Sequence, residues 1–148
     1  MIDYLGNTIN EKDIVVFIAN KRGQEPTMRL GVVQNVGLNS LRVKADNEEH
    51  RVVFSSRSFP DDKMINVFVT HKPLTGVGEC CDFLGQPIHI HDSVLFMEAP
   101  SQGYSTSFVL GEVVRLSNQE VTIAVRTSTV QKYMRKQDNV VVSSTQAF

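Results

Sequence analysis

The chain has 148 residues, 15 Lys or Arg against 16 Asp or Glu, a formal net charge of −1, 41% hydrophobic and 21% charged residues, and two cysteines. That composition excludes a disordered tail, a collagen-like rod and a disulfide-stapled miniprotein. A charge this near zero excludes a strongly basic nucleic-acid or membrane-surface binder, and a domain of this size buries roughly 70% of its unfolded surface without needing a metal or disulfide.

The amino terminus, Met1-Ile2-Asp3-Tyr4, carries an acid where a signal peptide has its basic region. No stretch approaches the roughly 20 apolar residues of a membrane span. Strands are expected at 13–18, 30–36, 41–45, 51–55 and 64–68, from β-branched content and the alternation of Leu41-Arg42-Val43-Lys44. The longest apolar run, Ile14-Val15-Val16-Phe17-Ile18-Ala19, has the length of one buried strand. A tight turn is expected at Asn39-Ser40. Residues 69–80, with Pro73, Gly76 and Gly78, read as a linker. Thr75 to Cys80 has a superficial likeness to a phosphate loop, but it lacks the Lys-Ser/Thr pair and a following helix. Cys80 and Cys81 are neighbours whose Cα atoms sit only ~3.8 Å apart, so a disulfide between them is strained. Free thiols suit a reducing cytoplasm, which is the expected location. Further on, Asn118-Gln119 predicts a second turn and Val121-Thr122-Ile123-Ala124-Val125 a strand. The best helical candidate is residues 130–137, one short turn.

An internal repeat organises these elements. Asp3-Tyr4-Leu5-Gly6 returns as Asp82-Phe83-Leu84-Gly85, and seven of the sixteen positions from Asp3 to Ile18 are identical in the second copy. After a loop one residue longer in copy two, Leu30-Gly31-Val32-Val33 matches Leu110-Gly111-Glu112-Val113, and Leu41 and Val43 match Val121 and Ile123. The expected organisation is therefore copy one at 1–68, a linker at 69–80 and copy two at 81–148. Each copy has about five short strands, and a unit that small avoids exposed edges best by curling into a barrel. Gly31 and Gly111 fall inside the second strand of each copy, where a side chain would crowd a bend. Asp13 and Asp92 share one place and are expected to shape the turn entering the first long strand.

Ile9-x-x-x-Asp13-x-Val15, a variable loop, Gly31-x-Val33 and Leu41-x-Val43 together resemble an SH3-like barrel of the KOW type, a module of ribosomal proteins and transcription factors. Lys12 and His91 stand where that motif carries Gly before its Asp. Leu5-Gly6-x-x-Ile9 followed by Asp13-x-Val15 also resembles small uncharacterised bacteriophage proteins. The resemblance implies an all-β chain of two tandem SH3-like five-stranded barrels, and a host cytoplasm if the chain is phage-encoded.

His89 and His91, placed i and i+2 on a strand, would share a face and could reach one ion. Copy one has Asn10 and Lys12 at the same positions, so solvent-facing residues are the plainer reading. No Gly-x-Ser-x-Gly elbow exists, and nothing orients His71 toward Cys80, so an enzyme is not expected and no cofactor is called for. Binding is the expected role, because function concentrates on long loops of a rigid scaffold. The loop of copy one is cationic, with Lys21, Arg22 and Arg29; that of copy two is uncharged, with Tyr104 and Phe108. These five residues are the expected partner-binding set, Tyr and Arg being favoured interface anchors. A protein partner is expected. The alternative is weak RNA or DNA binding through Lys21, Arg22 and Arg29, or through Lys132, Arg135 and Lys136. No membrane partner is expected, and the oligomeric state stays open.

Overall fold

The computed structural model describes residues 1–19, 25–53, 64–70, 81–98, 106–126 and 129–143. The chain is all-β. Its first five strands are β1 (Ile14–Ala19), β2 (Thr27–Val36), β3 (Ser40–Ala45), β4 (Glu48–Val53) and β5 (Val67–Val69). The next five are β6 (Ser93–Glu98), β7 (Ser107–Leu116), β8 (Glu120–Arg126), β9 (Val130–Lys136) and β10 (Val140–Ser143). They form two five-stranded sheets with orders β4-β3-β2-β1-β5 and β10-β6-β7-β8-β9. Among the described residues no helix is long and apolar enough to cross a membrane.

Both sheets repeat one set of local devices. β1 is buried along both faces, which is why it reads as an unbroken apolar run rather than an alternation. The ten-residue β2 pairs with β1 through its first half and with β3 through its second, and its register shifts between Val33 and Asn35. β7 shifts at the same place, between Val113 and Arg115. A bulge there bends the strand and increases its twist. Tight turns follow: Gly37 N donates to Ser40 O at 2.9 Å and Ser117 N to Glu120 O at 3.0 Å, at the two expected turns. Asp46 and Asn47 both have positive φ, 50° and 64°, as a two-residue hairpin turn requires, and they pair Ala45 with Glu48.

The bend brings β4 over β1, so that the Phe17 ring lies 5.2 Å from the His50 ring although two strands separate them in the sheet. Val15, Phe17, Val33, Leu41 and Val43 make the core of the first sheet, and Val94, Phe96, Val113, Val121 and Ile123 that of the second. Strand pairing closes neither sheet among the described residues. β4 and β5 remain edges of the first, β9 and β10 of the second. Strand pairing among the described residues shows two five-stranded sheets and not their closure into barrels: β5 is only three residues long, and its pairing is used on β1.

Three local expectations also change. Residues 130–136 form β9 rather than a helical turn, because pairing with β8 satisfies their backbone and turns Tyr133 toward the core; a 3-10 turn follows only at Gln137–Asn139. β5 runs to Val69, one residue into the expected linker, and residues 71–80 lie outside the described residues. The first long strand starts one residue later than expected, because Asp13 is used in the turn before it. Asn10 N donates to Asp13 Oδ2 at 2.8 Å, and His89 N to Asp92 Oδ2 at 2.8 Å.

Those turns place Lys12 and His91 at φ 71° and 77°. This is the position where the KOW-type motif carries Gly, and here an L side chain occupies the left-handed region at about 1–2 kcal/mol. Offset by the larger backbone entropy that Gly loses, Lys12→Gly is expected to raise stability by up to about 1 kcal/mol. Lys12→Val should lower it, since branching at Cβ worsens the same clash. Urea unfolding of both variants checks this, and a destabilised Lys12→Gly would remove the strain assignment.

The contacts divide the chain into two compact units, Met1–Lys72 with Glu98–Phe108, and Pro73–Met97 with Val109–Phe148.

Candidate functional site

Of the five expected partner-binding residues, Lys21, Arg22 and Tyr104 lie outside the described residues. The other two are placed differently from expectation. Phe108 is 1% exposed; within the first unit its ring stands edge-on to Phe68 at 4.8 Å, and its N–H donates to Ile65 O at 2.8 Å. A ring so buried offers a partner no surface, so Phe108 is a packing residue. Arg29 is a strand residue of β2, opposite Phe17 on β1.

Arg29 is the centre of a polar cluster on the first sheet. Its guanidinium lies 3.7 Å from Glu48 Oε2, 3.8 Å from Asp46 Oδ2 and 3.5 Å from His50 Nε2. The hairpin turn at 46–47 delivers these acids, one in the turn and one at the start of β4. The His50 side chain is 10% exposed and its ring tilts against Phe17. Two carboxylates beside one guanidinium leave no surplus positive charge, so the cluster orders the Arg29 side chain rather than presenting a bare cation.

The second sheet has the same frame with other chemistry. Tyr133 pairs opposite Ile123 as His50 does opposite Val43, and its ring lies 5.3 Å from Phe96. Arg135 lies over Phe96 at 5.1 Å and over Tyr133 at 5.5 Å, a cation–π arrangement. It donates to Met134 O at 2.8 Å and to Met97 O at 3.3 Å, and the Tyr133 hydroxyl donates to Gln131 Oε1 at 2.6 Å. Arg135 and Tyr133 thus lie on the core side of β9, and alternation puts Lys132 and Lys136 on the other. The three do not form one phosphate-facing patch.

His89 and His91 do not sit on a strand. Ile90-His91 is a turn, and each imidazole faces its own carboxylate: His91 Nδ1 lies 2.9 Å from Glu112 Oε1, and His89 Nδ1 lies 3.5 Å from Asp92 Oδ2. Among the described residues no group of three or more His, Cys, Asp or Glu is placed to hold a metal ion.

No sequence motif marks the outer face of β2, β3 and β4. Arg42 pairs directly with Arg51 across the β3–β4 ladder, Lys44 pairs with Glu49, Asn35 flanks Arg42 and Val32 flanks Lys44. The signal was present in the sequence: a two-residue turn at Asp46-Asn47 puts 45 opposite 48, and therefore 42 opposite 51.

These observations define a duplicated all-β protein whose two sheets share one frame of turns, bulges and core positions. The chain belongs to the family described as "Domain of unknown function (DUF7205)", whose model matches residues 1–67 and 80–143. No curated protein matches it significantly.

Proposed function

We propose that the chain is a non-catalytic docking module, a pair of SH3-like, KOW-like barrel units spanning 1–68 and 81–148. It would act as a phage-type accessory protein in the cytoplasm, that of the host if phage-encoded. It grips a host or partner protein through the long loops of its two units, in which the copies differ in chemistry.

One observation supports this reading above others. The frame positions of the two copies agree, whereas positions that the frame leaves free diverge. Arg29, Glu48 and His50 of the first sheet correspond to Val109, Gln131 and Tyr133 of the second, by the repeat and by the strand registers. Only the ring at His50 and Tyr133 is kept in kind; the charges of Arg29 and Glu48 give way to an apolar and an uncharged polar side chain, so the two copies offer a partner different chemistry at matching places. Two unlike faces suit two distinct contacts on a protein partner, where Arg and Tyr serve as anchors.

A pull-down from bacterial lysate tests it, using the full chain and a variant combining Arg22→Ala and Tyr104→Ala; Arg29 is left intact because Asp46 and Glu48 would lose their cation. Phe108 is left intact because its loss would open the core. Proteins captured by the unchanged chain should be lost by the variant at an unaltered melting temperature. The same set captured by both overturns the proposal.

A further inference from the structure

We infer that the outer face of β2, β3 and β4 docks an acidic, partly apolar segment of a partner protein; this rests on the docking reading above and names the chemistry of the partner.

The strand register carries the inference. Arg42 and Arg51 are directly opposite on the exposed side of the sheet, with Leu41, Val43 and Val52 directed into the core. Directly opposed residues have Cβ atoms about 4.5–5.5 Å apart, and like charges there destabilise the sheet. Lys44 adds a third cation two residues along β3, against a single carboxylate, Glu49. Arg51 Nε donates to Ser40 Oγ at 3.3 Å, which steadies one guanidinium without neutralising it. Among the described residues neither Arg42 nor Lys44 has an ion-pair partner. Nothing in the frame demands this arrangement: the same cross-strand pair in the second sheet is Thr122 with Met134, and Ala124 stands where copy one has Lys44. Two adjacent guanidiniums left facing solvent are a ready fork for carboxylates, which Arg binds in bidentate geometry.

The surroundings decide between acidic protein and nucleic acid. Val32 and Val53 flank the cations and are 38% and 52% exposed, so the face offers apolar contact beside charge. Among the described residues it carries no aromatic ring on which a base could stack, the usual partner of a cationic groove for single strands. Three cations also neutralise too few phosphates for more than weak, salt-sensitive binding.

The test is fluorescence anisotropy of a short dye-labelled Glu-rich peptide carrying a few Leu, titrated with the full chain, with a charge-matched oligo-deoxythymidine as the second probe. R42T/R51M places the second sheet's own residues at the equivalent sites, so the strands should accept them, and relief of the like-charge pair should leave the melting temperature at or above that of the unchanged chain. Peptide binding should weaken at least about tenfold. K44A, which keeps the Arg pair, should weaken it about threefold and provides the reading should the double variant misfold. An affinity within twofold of the unchanged chain in these variants overturns the assignment, as do absent peptide binding or tighter binding of the oligonucleotide. Lysate capture that still depends on Arg22 and Tyr104 would show that the docking reading survives such a failure.

Discussion

Asp3→Ala is expected to lower stability by about 3–5 kcal/mol, because it strands several backbone donors at once. Asp3 is fully buried, and its carboxylate is held by N–H groups rather than by a cation. Oδ1 accepts from Leu5 N at 2.9 Å and Asn7 N at 2.8 Å, and Oδ2 accepts from Val69 N at 2.7 Å. One side chain therefore closes the first turn, in which Gly6 sits at φ 89°, and ties it to β5, 66 residues away. Copy two repeats the device: Asp82 accepts from Leu84 N at 2.9 Å, Gln86 N at 2.8 Å and Val142 N at 2.8 Å, joining its turn to β10. Hydrogen bonds to a charged acceptor contribute about 1.5–3 kcal/mol each, and whole domains are stable by only about 5–15 kcal/mol. Asp3→Asn should recover part of the loss: an amide keeps one accepting oxygen but turns an NH2 toward a donor. Urea unfolding of Asp3→Ala, Asp3→Asn and Asp82→Ala measures this. An Asn variant as stable as the original would show that the second oxygen is not needed.

Gly31→Ala and Gly111→Ala are each expected to cost about 3 kcal/mol, from overpacking that rotamers cannot relieve. A Cβ at Gly31 would lie 2.5 Å from Val43 Cγ1, 2.9 Å from Lys44 O and 3.1 Å from Phe17 Cε1. The valine methyl could move, but the Lys44 carbonyl belongs to the β3 backbone and is held in the ladder. At Gly111 the matching obstacle is Ala124 O, also at 2.9 Å. The two glycines thus set how closely the bent strand approaches its neighbour just before the bulge. Gly37→Ala is the control. Its Cβ would meet only Ser40 O at 3.2 Å and Ser40 Oγ at 3.8 Å, so about 1 kcal/mol or less is expected. Equal losses at positions 31 and 37 in thermal or urea melts would argue against a close-approach role.

Much of the frame is legible in the amino-acid sequence. The pairing of Gly31 with Gly111 pointed to a backbone cause, and the backbone carbonyls beside them supply it. Asp13 and Asp92 were expected to shape a turn, and both cap one. Lys12 and His91 stood out as substitutes for a glycine, and both adopt the conformation that glycine favours. The binding residues were less legible. Phe108 reads as a loop aromatic because burial depends on what lies against a ring, and Phe68 is 40 positions away. Arg29 reads as a free loop cation because its acids, Asp46 and Glu48, arrive from a different strand pair.

The amino-acid sequence by itself determined the duplication, the all-β class and most strand positions, because these follow from local periodicity and from comparing one half of the chain with the other. Tertiary structure alone decided that residues 130–136 pair as a strand, that β4 comes back over β1 to set His50 against Phe17, and that Arg29 meets Asp46 and Glu48. Each of these depends on which backbone meets which across the sheet. Periodicity assigns a side chain to a face, but only the register says what stands beside it there.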